Sequence, residues 1–466
     1  MKNRYLFLAL LIGTFYTGSA QYRYTAAVWE DPNYGNLYKT PIRNWKKNYS
    51  VTFEGNGTSY CVCLIDNSSF FSPPYIVYPS LTPGPPAASV YRVTIPNPSL
   101  FSSLRVSDIY VVDDYAFFCG YYWGFGSIVT TPVYGYLDLT DFFSPNVNIN
   151  CYILSGGTTT APRTLERLVA YPDGMGGYSV VAFGRDEHPC KLIEIKDATS
   201  ISPTCYSYDF PISNPYIEMC EMYIDDISLD DNNVYLSGHD VSSPPANQVW
   251  YGIYKRTNIA GTMGNTFYFP VSEKPNGSVI CTSMPGESIF ALAYTYFDII
   301  LNKWYTRIRC IDKLSGTNTN SQQFDKTEKY EPLRMIYLPD LSSIELVQEN
   351  EKGTDFVKIE PFSSIGYNTP VLTHPGYDYY YNIDTVDGHH FISACRNYFY
   401  IQDRTMSLPA STTSCPDNQE IKVEIIPNLN TVTMFPSVPL LLSSWFYNTG
   451  DSVLISPLNV NCFSFE

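Results

Sequence analysis

Aromatic and ionisable side chains follow three glycines that occupy matching places in the sequence. Aromatic residues follow Gly120, an ionisable run follows Gly184, and a histidine and an aspartate follow Gly238. The residues concerned are Tyr121, Tyr122, Trp123, Arg185, Asp186, Glu187, His188, His239 and Asp240. Flat rings with hydrogen-bonding edges suit a sugar ring or an extended peptide. A carboxylate beside an imidazole suits acid–base chemistry.

Each of these groups also has a purely structural interpretation. The run Arg185–His188 is the densest ionisable cluster, yet no nucleophile motif or second carboxylate is tied to it, which favours a solvated loop with local ion pairs. In a chain with 41 Tyr, loop aromatics commonly cover the seams of a core. The sequence contains no Gly-x-Ser-x-Gly elbow, phosphate loop or dinucleotide fingerprint, so we expect no cofactor.

Acidic residues around position 228 raise the question of a cation site. Asp225, Asp226 and the run Asp230–Asn233 carry several oxygen ligands of the kind Ca²⁺ prefers. Their spacing does not match a calcium loop, and turn formation already explains the run. The 5 His are scattered without zinc-like spacing. We therefore expect no metal site.

A repeated strand–turn–strand unit positions these residues. Asp108–Gly120 and Asp226–Gly238 align without a gap: each has an apolar run, a turn of Asp or Asn, and a second apolar run ending in Gly. Looser copies of the unit are 50–65, 165–184, 278–294, 333–348 and 381–395. Seven hairpins at intervals of about 55 residues indicate four-stranded propeller blades rather than a solenoid.

The sequence thus predicts an all-β chain, a single seven-bladed β-propeller of four-stranded blades. Runs at 133–139 and 147–154 would supply outer strands, and strands from 22–47 and 432–465 would share one blade and close the ring. The residues after each second strand would then gather at one rim, here called the strand-end rim. It comprises the nine residues above, Arg396, and the further members Tyr294, Tyr296, Glu349, Glu351 and Asn397.

These hairpins lack the Gly-His and Trp-Asp pattern of WD repeats, the paired glycines of kelch repeats and the Asp-boxes of sialidases. In architecture the chain resembles uncharacterised secreted β-propeller proteins of Gram-negative bacteria, over most of the sequence after residue 20. The resemblance implies the fold and transfers no functional residues.

The N-terminal residues predict export. Lys2 and Arg4 precede an apolar run, and small residues at Gly18 and Ala20 fit a cleavage site. We expect residues 1–20 to be a signal peptide, residues 21–466 to be one propeller domain, and the product to be secreted or periplasmic. No later run reaches the ~20 apolar residues of a membrane span. The net charge of −16 disfavours nucleic acid and anionic membranes as partners.

Export also bears on the 12 Cys, because an oxidising compartment favours disulfides. Proximity in sequence suggests the pairs Cys119–Cys151, Cys190–Cys205, Cys281–Cys310 and Cys395–Cys415. Cys462 would pair with Cys61 or Cys63 if the chain ends meet.

Three functions remain open from the sequence. The leading hypothesis is a non-enzymatic propeller that binds a glycan or protein through the strand-end rim. The alternative is a polysaccharide hydrolase or lyase, with Asp186 or Glu187 facing Asp240 or Glu349 across the channel mouth. The third is a structural or surface-assembly role.

Overall fold

The structure is a computed structural model of the chain. It describes residues 24–28, 42–45, 60–65, 75–79, 90–95, 102–124, 130–140, 149–154, 164–184, 190–209, 222–240, 248–269, 274–326, 329–350, 353–362, 372–375, 380–385, 390–395, 398–403, 422–424, 433–435, 446–448 and 451–453.

Strands of the described residues form seven four-stranded antiparallel sheets, here numbered I to VII. Sheet I consists of β2 (Ile42–Trp45), β3 (Tyr60–Ile65), β4 (Tyr75–Pro79) and β5 (Val90–Thr94). Sheet II consists of β6 (Ser102–Val112), β7 (Tyr115–Gly124), β8 (Thr130–Asp138) and β9 (Ile149–Ile153). Sheet III consists of β10 (Arg167–Pro172), β11 (Tyr178–Gly184), β12 (Lys191–Lys196) and β13 (Thr204–Asp209). Sheets IV and V consist of β14 (Met222–Leu229), β15 (Asn233–Asp240), β16 (Val249–Lys255), β17 (Thr266–Tyr268); and β18 (Ile280–Thr282), β19 (Ile289–Asp298), β20 (Lys303–Asp312), β21 (Asn318–Lys326).

The remaining strands complete the set. Sheets VI and VII consist of β22 (Glu331–Leu338), β23 (Ser343–Asn350), β24 (Gly353–Ile359), β25 (Leu372–Pro375); and β26 (Tyr380–Thr385), β27 (His390–Cys395), β28 (Tyr398–Asp403) with β1 (Tyr24–Val28). Two two-stranded sheets are formed by β29 (Lys422–Glu424) with β30 (Thr433–Phe435), and by β31 (Phe446–Asn448) with β32 (Asp451–Val453). Helical structure in the described residues is limited to α1 (Ile259–Thr262) and a 3-10 turn (Pro339–Leu341), and no helix there is suited to spanning a membrane.

The first two strands of each sheet coincide with one predicted hairpin, except in sheet I. There the first strand is β2, which begins at Ile42 rather than near Ser50. Polar turn residues end the first strands: Asp113 adopts a positive φ of 49° between β6 and β7, and Asp230 accepts backbone hydrogen bonds between β14 and β15. The predicted outer strands of sheet II are confirmed as β8 and β9.

A backbone irregularity explains the glycine that ends the two best-matched hairpins. A β-bulge interrupts β6 between Val106 and Asp108 and β14 between Ile224 and Asp226. Gly120 and Gly238 lie opposite these bulges. A Cβ at Gly120 would lie 1.9 Å from the Arg105 carbonyl oxygen, and one at Gly238 would lie 1.8 Å from that of Tyr223. Only glycine fits so close a backbone approach.

Neighbouring sheets pack face to face through large apolar seams. Phe117 of sheet II packs with Leu168 and Ile193 of sheet III in one buried cluster. Tyr235 of sheet IV stacks on Phe290 of sheet V, with ring centroids 4.5 Å apart. The alternating faces of each strand therefore bury apolar residues on both sides, which accounts for the high aromatic content of the chain.

The first strands of the sheets contact one another in sequence. β2 contacts β6, and the contacts continue through β10, β14, β18, β22 and β26, which in turn contacts β2. The N-terminal strand β1 pairs with β28 and is the fourth strand of sheet VII. The prediction had given β1 a partner within 432–465, but of the strands described there β30 pairs with β29 (Lys422–Glu424) and β31 pairs with β32. The all-β class and the repeated four-stranded antiparallel sheets of a β-propeller are confirmed.

The predicted disulfides among the described side chains do not form. No disulfide is found among the six cysteines Cys119, Cys151, Cys190, Cys205, Cys281 and Cys310. Directly opposed residues of an antiparallel pair share a face of the sheet. Cys119 opposes Tyr134 and Cys151 opposes the next residue, Gly135, so the two cysteine side chains leave opposite faces of sheet II.

The other two predicted pairs fail for a similar geometric reason. Cys281 opposes Leu292 and Cys310 opposes Ala291, so their side chains leave opposite faces of sheet V. Cys190 comes just before β12, whereas Cys205 opposes Ile195 near its other end. Burial raises the pKa of the Cys281 thiol, which keeps it protonated. The pairings of Cys395 and Cys462 lie outside the described side chains.

Candidate functional site

Five first strands surround a cavity of about 170 Å³, here called the axial cavity. It is lined by residues of β6, β10, β14, β18 and β22. The polar residues of its wall include Tyr110, Ser228, Thr282 and Arg334, and Val169 is among the apolar ones. The accessible surface of the cavity is mainly polar, so it suits a polar group of a ligand rather than a whole apolar molecule.

The axial cavity lies at the end of the first strands that leads into the tight turns. In sheet IV its wall runs over Ile227–Leu229, between the bulge at Asp226 and the turn at Asp230. Tyr121 and His239 lie beyond the bulges, paired with Arg105 and Tyr223. The cavity and the described part of the strand-end rim therefore lie at opposite ends of the first strands.

Arg167 crosses between strands at the level of the bulges. Its Nη1 forms a salt bridge with Asp226 Oδ1 of β14. Its Nη2 donates to the carbonyl oxygen of Leu333 in β22, 3.5 Å away, although β10 and β22 are not neighbours in the order of strand contacts. Burial acts to lower the Arg167 pKa, but the carboxylates of Asp226 and Asp108 outweigh it and raise the pKa. A charged guanidinium thus joins sheets III, IV and VI.

Buried carboxylates beside the cavity bind the backbone of the next sheet. Asp226 Oδ2 accepts from Cys281 N at 3.0 Å, and Asp225 Oδ2 accepts from Val279 N at 3.0 Å. Asp108 Oδ2 accepts from Leu168 N at 3.2 Å in the same way. Carboxylates that accept N–H donors are positioned to hold neighbouring first strands together.

The acidic turn of sheet IV is a structural element as well. Asp230 Oδ1 accepts from the backbone N of Asn232 and Asn233, each at 2.9 Å. Its Oδ2 lies 2.7 Å from Lys313 Nζ and accepts from Tyr235 Oη at 2.6 Å. These bonds lower the Asp230 pKa although burial alone would raise it. The turn interpretation of this run is confirmed by its contacts.

The predicted pair His239 and Asp240 lies at the end of β15. His239 Nδ1 lies 2.6 Å from Asp225 Oδ2, and its ring stacks on Tyr223 with centroids 5.2 Å apart. Asp240 is buried, and its backbone N donates to Gln248 O. The imidazole therefore has a carboxylate partner that also belongs to the seam between sheets IV and V.

The predicted aromatic group lies in β7 of sheet II. Tyr121 Oη accepts from Arg105 Nη1 at 3.2 Å in an exposed pair. Tyr122 is half-buried and packs against the apolar cluster of sheet II. Trp123 belongs to the same strand, and its side chain lies outside the described set.

Five of the predicted site residues lie in parts of the chain that the structure does not describe. Arg185, Asp186, Glu187, His188 and Arg396 lie outside the described residues. None of the described rim residues lines the axial cavity.

Two further members of the predicted rim lie in a buried seam. Tyr294 and Tyr296 are buried between sheets IV and V. Tyr294 Oη accepts from Arg309 Nε at 2.8 Å, and Arg309 lies over the Phe269 ring. The prediction placed them after the second strand, but β19 continues to Asp298, so both are strand residues. Glu349 lies within β23, and Glu351 and Asn397 lie outside the described residues.

Arg167 and Arg334 were not among the predicted site residues. Each lies in or at the start of an apolar run that was predicted to be the first strand of a hairpin. A charge at such a position requires a partner from another element, and this rule could have identified both. Their partners could not have been named, because Arg167 and Asp226 are 59 residues apart.

Comparisons with known proteins yield similarity to solved structures alone. No protein-family model matches the chain, and no curated protein matches it. The structure of YCF48 from Cyanidioschyzon merolae aligns at 8% identity and a TM-score of 0.43, covering 78% of this chain and 99% of that one. The Dos1 propeller aligns at 7% identity and 0.43, covering 77% and 82%. Polysaccharide lyase Uly1 aligns at 9% identity and 0.47, covering 78% and 92%. Similarity at this level says nothing about ligand or activity.

Proposed function

We propose that this chain is a secreted, non-enzymatic binding protein, a seven-bladed β-propeller over residues 21–466 that recognises a glycan or a protein at its axis. The proposal makes each of sheets I to VII one blade. It is supported by the continuous contacts of the first strands from β2 to β26 and back to β2. It is also supported by β1, which completes sheet VII by pairing with β28. Pairing of the first strand with the last sheet would latch the two ends of the ring, with β1 as the outer strand beside β28.

The axial cavity is the observation that carries the binding proposal. Ser228, Thr282 and Arg334, which come from three different sheets, are among the polar residues that line it. Such groups recognise the hydroxyl and carboxylate groups of a sugar, or the backbone and acidic side chains of a peptide. A ligand group that enters the cavity would touch several blades at once.

The buried carboxylates Asp225 and Asp226 have structural partners. A glycosidase requires two carboxyl groups that face each other across a substrate. Asp225 and Asp226 instead accept backbone N–H bonds and pair with His239 and Arg167. Nothing among the described contacts supports the hydrolase or lyase, and we do not propose it.

The strand-end rim, which the sequence predicts as the binding face, is the second candidate site. Its members Tyr121, Tyr122, Trp123, His239, Asp240 and Arg396, with the run Arg185–His188, would contact the ligand from the other end of the first strands. Single substitutions can distinguish the two candidate sites, because Arg334 lines the axial cavity whereas Tyr121 lies beyond the β-bulge at the other end of the first strands.

The test begins with the folded chain from residue 21 on a glycan array and on a peptide array, followed by calorimetry with any ligand found. Arg334→Met and Thr282→Ala should each weaken binding, Arg334→Met by about tenfold or more because a charge-assisted hydrogen bond is lost. Lys196→Met and Tyr206→Ala are controls, since both side chains are exposed on outer strands of sheet III.

Three outcomes would count against parts of this proposal. A folded sample that binds nothing on either array would refute the binding function. Loss of affinity in Tyr121→Ala but not in Arg334→Met would move the site to the strand-end rim. Turnover of an arrayed glycan would reinstate the enzyme.

Export is a separate part of the proposal. We propose that residues 1–20 are removed and that the mature chain begins at Gln21. Mass spectrometry of the N-terminal peptide from a periplasmic or extracellular fraction would test this directly. A chain that retains Met1 in the cell interior would contradict it.

A further inference from the structure

The hairpin formed by β19 and β20 ends in an exposed apolar tip. Ile299 is 82% exposed, Ile300 is 93% exposed and Leu301 is 58% exposed. The two strands stay paired up to Asp298 and Lys303, so the three residues occupy the end of a continuous hairpin. The hairpin tip, defined as residues 297–304, therefore presents three consecutive aliphatic side chains to solvent.

Polar residues hold the tip in one conformation. Asp298 Oδ1 accepts from the backbone N of Ile300 at 2.8 Å and from that of Leu301 at 3.0 Å. Asn302 takes the positive φ, 51°, that closes the turn. Two of the tip's backbone donors are thus already bonded, which removes a main cost of moving a loop into an apolar medium.

Other exposed apolar residues of the described chain occur singly. Met175, Ile201 and Leu314 each stand alone in a turn at the opposite end of the strands. Isolated exposed apolar residues are common and need no explanation, whereas a contiguous apolar group at a preorganised tip indicates an interaction site.

The size and charge of the tip favour lipid as its partner. Its three aliphatic side chains amount to roughly 300 Å² of apolar surface, well below the about 800 Å² that each partner of a stable protein complex buries. Acyl chains adapt to the shape of the tip, so binding to lipid does not require a large complementary interface. Behind the tip, Phe297 and Trp304 lie in ring contact, with centroids 4.9 Å apart, and such rings are favoured at a membrane–water interface.

Charge selects the kind of lipid. The chain carries a net charge of −16, so an anionic bilayer would repel it. Within the tip, Asp298 opposes Lys303, which balances the local charge. A zwitterionic headgroup layer is the surface that this combination tolerates.

We propose that the hairpin tip anchors the protein reversibly to a zwitterionic lipid bilayer, with Ile299, Ile300 and Leu301 among the acyl chains and Trp304 at the headgroup level. This inference is independent of the ligand proposed for the axis. Three buried aliphatic residues give weak binding comparable to a single acyl chain, for which the association constant is about 10⁴ M⁻¹.

The experiment measures flotation of the mature chain with phosphatidylcholine vesicles. Ile300→Asp should weaken binding by about tenfold or more, because an aliphatic side chain is replaced by a charge. Leu314→Asp is the matched control, since Leu314 is 98% exposed in a turn at the other end of the strands. Both side chains are exposed, so neither variant should change the thermal unfolding midpoint.

Two further measurements make the outcome decisive. Brominated phosphatidylcholine should quench tryptophan fluorescence in the wild type but not in Trp304→Phe, and added phosphatidylglycerol should weaken binding. Failure of the wild type to float, equal flotation of Ile300→Asp, or binding that requires anionic lipid would each overturn the proposal. So would self-association that Ile300→Asp abolishes in ultracentrifugation, because a second copy would then cover the tip.

Discussion

The hairpins β6–β7 and β14–β15 have the same backbone plan but different polar contacts. In both, a bulge in the first strand is followed by a buried aspartate, Asp108 or Asp226, that bonds a backbone N–H of the next sheet. In both, a glycine lies opposite the bulge, Gly120 or Gly238. These positions are shared because the backbone geometry itself requires them.

The differences lie at the positions around this common plan. Where β6 and β7 pair Arg105 with Tyr121 at the surface, β14 and β15 pair Tyr223 with His239. The second hairpin adds a buried carboxylate, Asp225, which contacts His239 and Val279. A repeat thus keeps the residues that shape its bulge and varies those that reach solvent or a neighbouring sheet.

The largest expected difference between the hairpins concerns their two aspartates. Asp226→Ala would leave Arg167 without its carboxylate partner, and we expect a loss of about 3 kcal/mol in the free energy of unfolding, at the low end for a broken buried pair because the Arg167 side chain is 26% exposed. Asp108→Ala should cost about 1–2 kcal/mol. Urea denaturation measures both.

Equal losses of unfolding free energy in the two variants would show that the Arg167–Asp226 ion pair contributes nothing to stability. A double-mutant cycle with Arg167→Met isolates the pair. The coupling with Asp226→Ala should be large, and the coupling with Asp108→Ala should be small.

The two glycines should respond alike, which tests the shared part of the comparison. Gly120→Ala and Gly238→Ala each force a Cβ against a carbonyl oxygen, so each should destabilise the protein by about 2–3 kcal/mol. Gly264→Ala is the control, because a Cβ there meets nothing within 4 Å. A near-neutral Gly238→Ala would mean that the bulge relaxes freely.

The turns of the two hairpins should differ in pH dependence. The bonds of Asp230 to Lys313 and Tyr235 hold its folded-state pKa below the ordinary value of 3.8. Its stabilisation is therefore present above that value and is lost as the pH falls through the lower folded-state pKa. Asp230→Asn should cost about 1–2 kcal/mol at neutral pH, with the difference from wild type shrinking on acidification.

The comparison in the turn of the first hairpin is Asp113→Asn, at the position that aligns with Asp231. The Asp113 side chain accepts from Tyr178 Oη in an exposed contact, and asparagine keeps an acceptor there. We expect a loss below about 0.5 kcal/mol. Thermal unfolding across pH compares the two turns, and an Asp230→Asn cost that persists unchanged in acid would contradict the ion-pair explanation.

The smallest effects concern the outward positions. His239→Phe keeps the stacking on Tyr223 and removes the bond to Asp225, at a cost of about 1 kcal/mol. Tyr121→Phe removes one exposed bond to Arg105 and should cost less than about 0.5 kcal/mol. Denaturant midpoints measure both losses of stability. A larger loss in Tyr121→Phe than in His239→Phe would mean that Tyr121, not His239, contributes more to stability.

Local chemistry made the hairpins predictable and left the site largely unpredictable. Asp113 and Asp230 mark turns because their backbone and side-chain preferences act over a few residues. The predicted rim residues Tyr294 and Tyr296 proved to be buried because the length of β19 depends on its pairing with β20, which no local pattern records. The predicted cysteine pairs failed because sequence proximity does not reveal which face of a sheet each side chain leaves.

By itself the sequence determined the all-β class, the repeated strand–turn–strand unit and the glycines that end it, since turn propensity and alternating apolar residues operate within a single hairpin. Only the tertiary structure decided that Arg167 joins Asp226 and Leu333, the latter 166 residues away, and that five strands enclose the axial cavity. Contacts of that kind depend on how whole sheets pack against one another, because burial and electrostatic pairing act between surfaces that the chain brings together only after folding.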